Sequence, residues 1–88
     1  MSEIQKYISK NESKMLEDLF SLIRIPSISA KPEHHDDMLA CAERWAQLLI
    51  EAGADEALVM PSKGNPIVFG QKTVDPTAKT VLIYAHYD

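Results

Sequence analysis

The chain has 88 residues, 45% hydrophobic and 25% charged, with three Gly, five Pro and a single Cys. Nine Lys and Arg stand against thirteen Asp and Glu, a net charge of −4, and with no basic stripe this argues against a nucleic-acid or anionic-membrane surface. One cysteine excludes an internal disulfide framework and a multi-cysteine zinc site, and no apolar run approaches the ~20 residues that span a bilayer.

The length makes one small domain at most. Such a chain hides only roughly 60–65% of the surface its unfolded form exposes, a thin margin of stability. Met1 to Lys10 is polar and mixed in charge, unlike a secretory leader, so the expected compartment is the cytoplasm.

Met1 to Arg24 is predicted to be helical. Ile4, Ile8, Met15, Leu19, Leu22 and Ile23 recur at three- and four-residue steps on one face. Asn11 is a mediocre helix former and a good cap, so one helix with a weak point and two short helices both fit. Pro26 ends it, because the residue before proline is pushed out of the helical region. Ser27 to Glu33 reads as a loop. Asp36 and Asp37 suit the cap or first turn of a second helix. Its apolar stripe is Met38, Cys41, Ala42, Trp45, Leu48, Leu49 and Ala52, and Gly53 falls where a left-handed C-terminal cap belongs.

The period then changes. Ala57–Met60, Ile67–Gly70 and Thr80–Ala85 read as three strands separated by turn residues. The connections are short enough for hairpins. The unbroken apolar run of the third suggests burial on both faces, as in the middle of an α/β sheet. The expected order is therefore helix, helix, strand, strand, strand. The helical pair covers one face of such a sheet and leaves the other bare.

His86 and Asp88 follow the third predicted strand, at the edge where open α/β sheets bind ligands. Two residues apart in extended backbone, their side chains leave on the same side. A carboxylate beside an imidazole fixes the ring's tautomer and aims the other nitrogen at a metal. On spacing alone the pair also fits a surface His and Asp at a strand end.

Other residues support plainer readings. His34-His35-Asp36-Asp37 fits a solvated loop with aspartates serving a helix start better than a metal cluster. Cys41 and Trp45 lie on the apolar stripe and read as core. Tyr84 is expected to pack in the sheet, and Tyr87 is a candidate for the mouth of a site. Ser27 and Ser29 have no matching base nearby, so a serine-hydrolase reading has little support.

The segment TVLIYAHYD, preceded by GNPIVFG and by a helix running into LIRIPSIS, resembles the co-catalytic zinc exopeptidase family. That family includes acetylornithine deacetylase, succinyl-diaminopimelate desuccinylase, carboxypeptidases and carnosine-type dipeptidases. The likeness runs from about Leu16 to Asp88 and leans toward the dipeptidase branch. It implies an α/β/α catalytic domain, of which residues 1–88 are the N-terminal portion. The rest of that domain and a lid or dimerisation domain are not among these residues. His86 matches the family's first metal-ligand histidine, and Asp88 the catalytic aspartate that orients it. The resemblance further implies two zinc ions, with manganese or cobalt as substitutes, and hydrolysis of a peptide or amide bond. The substrate would be a small peptide or N-acyl amino acid, with no nucleic-acid or membrane partner, and a homodimer is one arrangement open to the full-length protein. One histidine cannot run this chemistry, so the 88 residues alone are expected to be inactive. A non-catalytic relative of the same fold and a self-contained α/β interaction domain are the alternatives.

Overall fold

Ser2 opens the first helix through a reciprocal cap. Its Oγ accepts from Gln5 N at 3.1 Å, and Gln5 Oε1 accepts from Ser2 N at 3.0 Å, so two of the donors left over at a helix start are satisfied. The computed structural model describes residues 2–88; Met1, the first residue of the expected helix, lies outside the described residues. Helix α1 runs without a break over Glu3–Ile23. Asn11 does not interrupt it, because its Nδ2 donates to the Tyr7 carbonyl at 2.9 Å and the side chain is absorbed one turn back. The last turn tightens as Ile25 N donates to Leu22 O, and Pro26 follows as expected.

A single 3₁₀ turn, Pro32–His34, leads into helix α2 (His35–Glu51). His34 occupies the cap, and its side chain bonds no backbone N–H of the first turn. Asp36 and Asp37 sit inside the first turn, where the helix dipole favours carboxylates. Gly53 takes φ +106° beyond the helix end, the left-handed position expected of it.

Strands β1 (Glu56–Met60) and β2 (Ile67–Gln71) form an antiparallel hairpin, with Glu56 opposite Gln71 and Met60 opposite Ile67. The Ser62 hydroxyl shapes the connection, accepting from Gly64 N and donating to the Asn65 carbonyl. The stripe of α2 packs on both strands, and the buried core is Met38, Cys41 and Ala42, each no more than 2% exposed. Gly70 lets β2 approach closely, since a methyl added there would meet Leu49 Cδ1 at 2.9 Å. Trp45, expected in the core, is half-buried. Helix α1 buries no residue fully. It is tied to α2 through Arg44, whose Nε donates to Ser21 Oγ at 2.9 Å, with Asp18 and Glu51 near its guanidinium.

The chain is thus a small mixed fold of two helices and one two-stranded antiparallel sheet. The third predicted strand is not formed. Thr80–Ala85 has no regular structure, and Val81, Leu82, Ile83 and Tyr84 are 82–90% exposed. An apolar β-branched run records a preference for burial on a pleated surface; it does not supply the neighbouring strand that pleating requires. The preceding turn is closed within itself. Thr77 N and Oγ1 both donate to Asp75 Oδ1 at 2.9 Å, and Ala78 N closes back on Asp75 O.

Two outcomes follow from this arrangement. An apolar, uncharged, exposed segment invites association. In size-exclusion chromatography the chain should elute above its 9.9 kDa mass as concentration rises, and L82K combined with I83K should return it to monomer. A wild-type chain monomeric at every concentration would contradict this. The second outcome concerns Asp55, whose carboxylate closes the open end of the hairpin. The Thr73 N–H, and after it the Lys72 ammonium, hold its carboxyl below the usual carboxylate value. A group with a depressed folded pKa stabilises above its unfolded value and loses that contribution as pH falls through the folded one. Thermal melting should therefore place D55N slightly below wild type at neutral pH, and the gap should close in acid below the carboxylate range. A gap independent of pH would rule out the charge as its source.

Candidate functional site

The site begins at the end of α1. Pro26 has a fixed φ, and two successive tight turns follow: Ser27 N donates to Ile25 O, and Ile28 N to Pro26 O, both at 2.8 Å. Alternation then brings Ser27 and Ser29, two residues apart, onto the same stretch of chain from the far end of the sequence. Ser27 Oγ donates to the Tyr87 carbonyl at 3.3 Å, and Ser29 Oγ donates to Asp88 Oδ2 at 2.6 Å.

Tyr87 is the anchor of that stretch. Its hydroxyl donates to the Pro66 carbonyl, just before β2, at 2.6 Å. Its own carbonyl also accepts from the buried Cys41 thiol at 3.5 Å. Burial, and behind it the nearby Cys41 and Asp88, push the Tyr87 phenol above its ordinary value. Residues from the α1 end, from α2 and from the hairpin thus converge on one half-buried tyrosine.

His86 and Asp88 lie on either side of it. His86 Nδ1 stands 3.4 Å from Asp88 Oδ1, ion-pair reach but longer than an ordinary N–H···O bond. The His86 side chain is 74% exposed, and its Nε2 has no hydrogen-bond partner among the described residues. The Ser29 hydroxyl, then the Asp88 backbone N–H and the His86 ring, hold the Asp88 carboxyl below the usual range against some desolvation. A cleft of about 230 Å³ opens beside them, where Leu22, Ile25 and Trp45 line one part and His86, Tyr87 and Asp88 another.

The structure brings His86 and Asp88 together, as expected, but from irregular backbone instead of a strand end. Tyr84 does not pack in a sheet. It is exposed, and its ring meets the His86 imidazole edge-on with centroids 5.8 Å apart. Tyr87 does line the cleft. His34 and His35 form no cluster with Asp36 and Asp37; only His34 Nδ1 and Asp37 Oδ2 meet, at 2.9 Å, within one turn. Cys41 is buried, in keeping with a small core side chain. Ser27 and Ser29, set aside as nucleophiles, are the residues sequence reasoning missed. The readable signal was their two-residue spacing behind a proline, which suits a clamp.

A larger groove of about 790 Å³ lies between α1 and α2. Its charged residues are all paired, Lys14 with Asp18, and Asp18 and Glu51 with Arg44 outside the lining. No family model matches the chain, and no solved structure matches it.

The donor set provides one position of a metal shell. An imidazole with an orienting carboxylate suits zinc, but no three His, Cys, Asp or Glu residues gather around a common point among the described residues. These residues therefore do not make a metal centre by themselves, and no metal-dependent step is derived for them. Metal analysis after exhaustive dialysis should find well under one zinc per chain. One tightly held zinc per chain would mean that His34 or His35, or a second copy, supplies ligands to His86.

Proposed function

We propose that this chain is the N-terminal portion of the α/β/α catalytic domain of a metal-dependent hydrolase acting on small peptides or N-acyl amino acids. In this reading His86 is a metal ligand and Asp88 the carboxylate that orients it. Two zinc ions, or manganese or cobalt in their place, would be held with ligands that are not among these residues. The cytoplasm is its compartment, and a homodimer is one arrangement open to the full-length protein.

The observation that carries the proposal is the facing of His86 Nδ1 and Asp88 Oδ1 at 3.4 Å on the wall of a cleft. The nitrogen turned toward the carboxylate is the one that keeps its proton, and Nε2 is the one left to bind. A surface histidine at a chance spacing would not need the carboxylate beside it to be held by a third residue. Asp88 is so held, by Ser29. The likeness of LIRIPSIS, GNPIVFG and TVLIYAHYD to the zinc exopeptidases supplies the reaction class. The bare apolar face of Val81–Tyr84 suits a segment that pairs within a larger sheet. No helix among the described residues is long and apolar enough to cross a membrane.

The test is made in the full-length protein with a panel of dipeptides and N-acyl amino acids and with zinc, manganese or cobalt supplied. His86→Ala should abolish hydrolysis. Asp88→Asn should lower it by at least ~10- to 100-fold, because the amide favours the wrong ring tautomer. Near-normal turnover by either variant would sink the assigned roles.

A further inference from the structure

Asp88 divides its two carboxylate oxygens between two partners. Oδ2 takes the Ser29 hydroxyl at 2.6 Å, and Oδ1 faces His86 Nδ1 at 3.4 Å. Rotating the carboxylate about χ2 would break the short bond to Ser29, so the serine fixes the plane in which the carboxylate faces the imidazole. Nothing else holds this carboxyl as firmly: the segment is irregular, and both Ser29 and His86 are exposed. Ser27 acts one residue earlier, on the Tyr87 carbonyl at 3.3 Å. It fixes the backbone and leaves the carboxylate's rotation to Ser29.

We propose that Ser29 is a positioning residue: by holding Asp88 Oδ2 it fixes the plane of the carboxylate with Oδ1 toward His86 Nδ1, so that Nδ1 keeps the ring proton and Nε2 faces outward. This rests on the assignment of His86 as ligand and Asp88 as its orienter. It adds a residue, 59 positions away in sequence from Asp88, whose hydroxyl acts through the carboxylate without touching the ring. The loop after Pro26 then has a defined task, to deliver one hydroxyl to one oxygen.

The test reads the ring itself. In the chain labelled with ¹⁵N at histidine and kept dilute, the neutral His86 imidazole should carry its proton on Nδ1. Its signals are assigned by their loss in H86Q. Ser29→Ala should shift the ring toward the Nε2–H form, with loss of Nδ1–H as the major species. Ser29→Thr keeps the hydroxyl and should restore the wild-type form. Amide exchange of α2 and the hairpin reports whether each variant keeps its fold. Should S29A not fold, S29T alone decides, and a changed tautomer there overturns the proposal. An unchanged tautomer in folded S29A, or a wild-type ring protonated on Nε2, also overturns it. The two assignments fail separately. Full activity in H86A would remove the hydrolase reading whatever the ring does, whereas an unmoved tautomer in S29A with H86A inactive would remove only the role of Ser29.

Discussion

The Cys41 side chain is the point on which the rest of this structure turns. It lies in the middle of the α2 stripe and is 1% exposed, between Met38 and Ala42. The same thiol donates to the Tyr87 carbonyl at 3.5 Å, beside the Ser27 hydroxyl. Burial of the helix against the hairpin and attachment of the His86–Asp88 segment therefore pass through one residue. A thiol suits this place because it packs as a small hydrophobe yet offers a weak donor. A larger aliphatic side chain would have to push Tyr87 off the helix, and with it the hydroxyl that reaches Pro66. The candidate site inherits its position from the core.

Around that point the fold is lopsided. One face of α2 is satisfied by the hairpin, while α1 rests on it with no fully buried residue and is held by the Arg44–Ser21 contact. Isolated polar contacts of this kind contribute only about 1 kcal/mol each. Each large side chain left in water forgoes roughly 1.5–3 kcal/mol of burial. Leu82, Ile83 and Tyr84 are all in that condition. The energetic weight therefore sits with α2 and the hairpin, and Tyr87, just beyond the exposed run, is bonded to both through Cys41 and Pro66.

Both helices, the first two strands and their antiparallel pairing were readable because each is a local pattern. The three- and four-residue steps of α1 and α2, the glycine at position 53 and the short link between β1 and β2 are written in neighbouring residues. The third strand failed for the complementary reason: period and composition describe what Val81–Tyr84 prefer, whereas a strand also needs an edge to pair with. His86 and Asp88 were found by their spacing, which does not depend on the backbone being a true strand. Asn11 was ambiguous because a single side-chain bond to the Tyr7 carbonyl decides between cap and helix interior. The clamp made by Ser27 and Ser29 was not legible, because their partners lie about sixty residues away.

The long reach of these serines bears on H-x-D pairs. Two residues apart in a regular strand, the imidazole and carboxylate would be held by the pleat, and nothing further would be required of the surroundings. Here the pair sits in irregular backbone with the ring largely in water, and its separation of 3.4 Å is too long to lock itself. Order must come from outside the pair. It comes at three depths: the buried thiol and Ser27 on the Tyr87 carbonyl, the tyrosine hydroxyl on Pro66, and the Ser29 hydroxyl on the carboxylate. Of these contacts, the last falls on the carboxylate itself. Where the carboxylate points is thus a property of the loop behind Pro26 as much as of the H-x-D spacing itself.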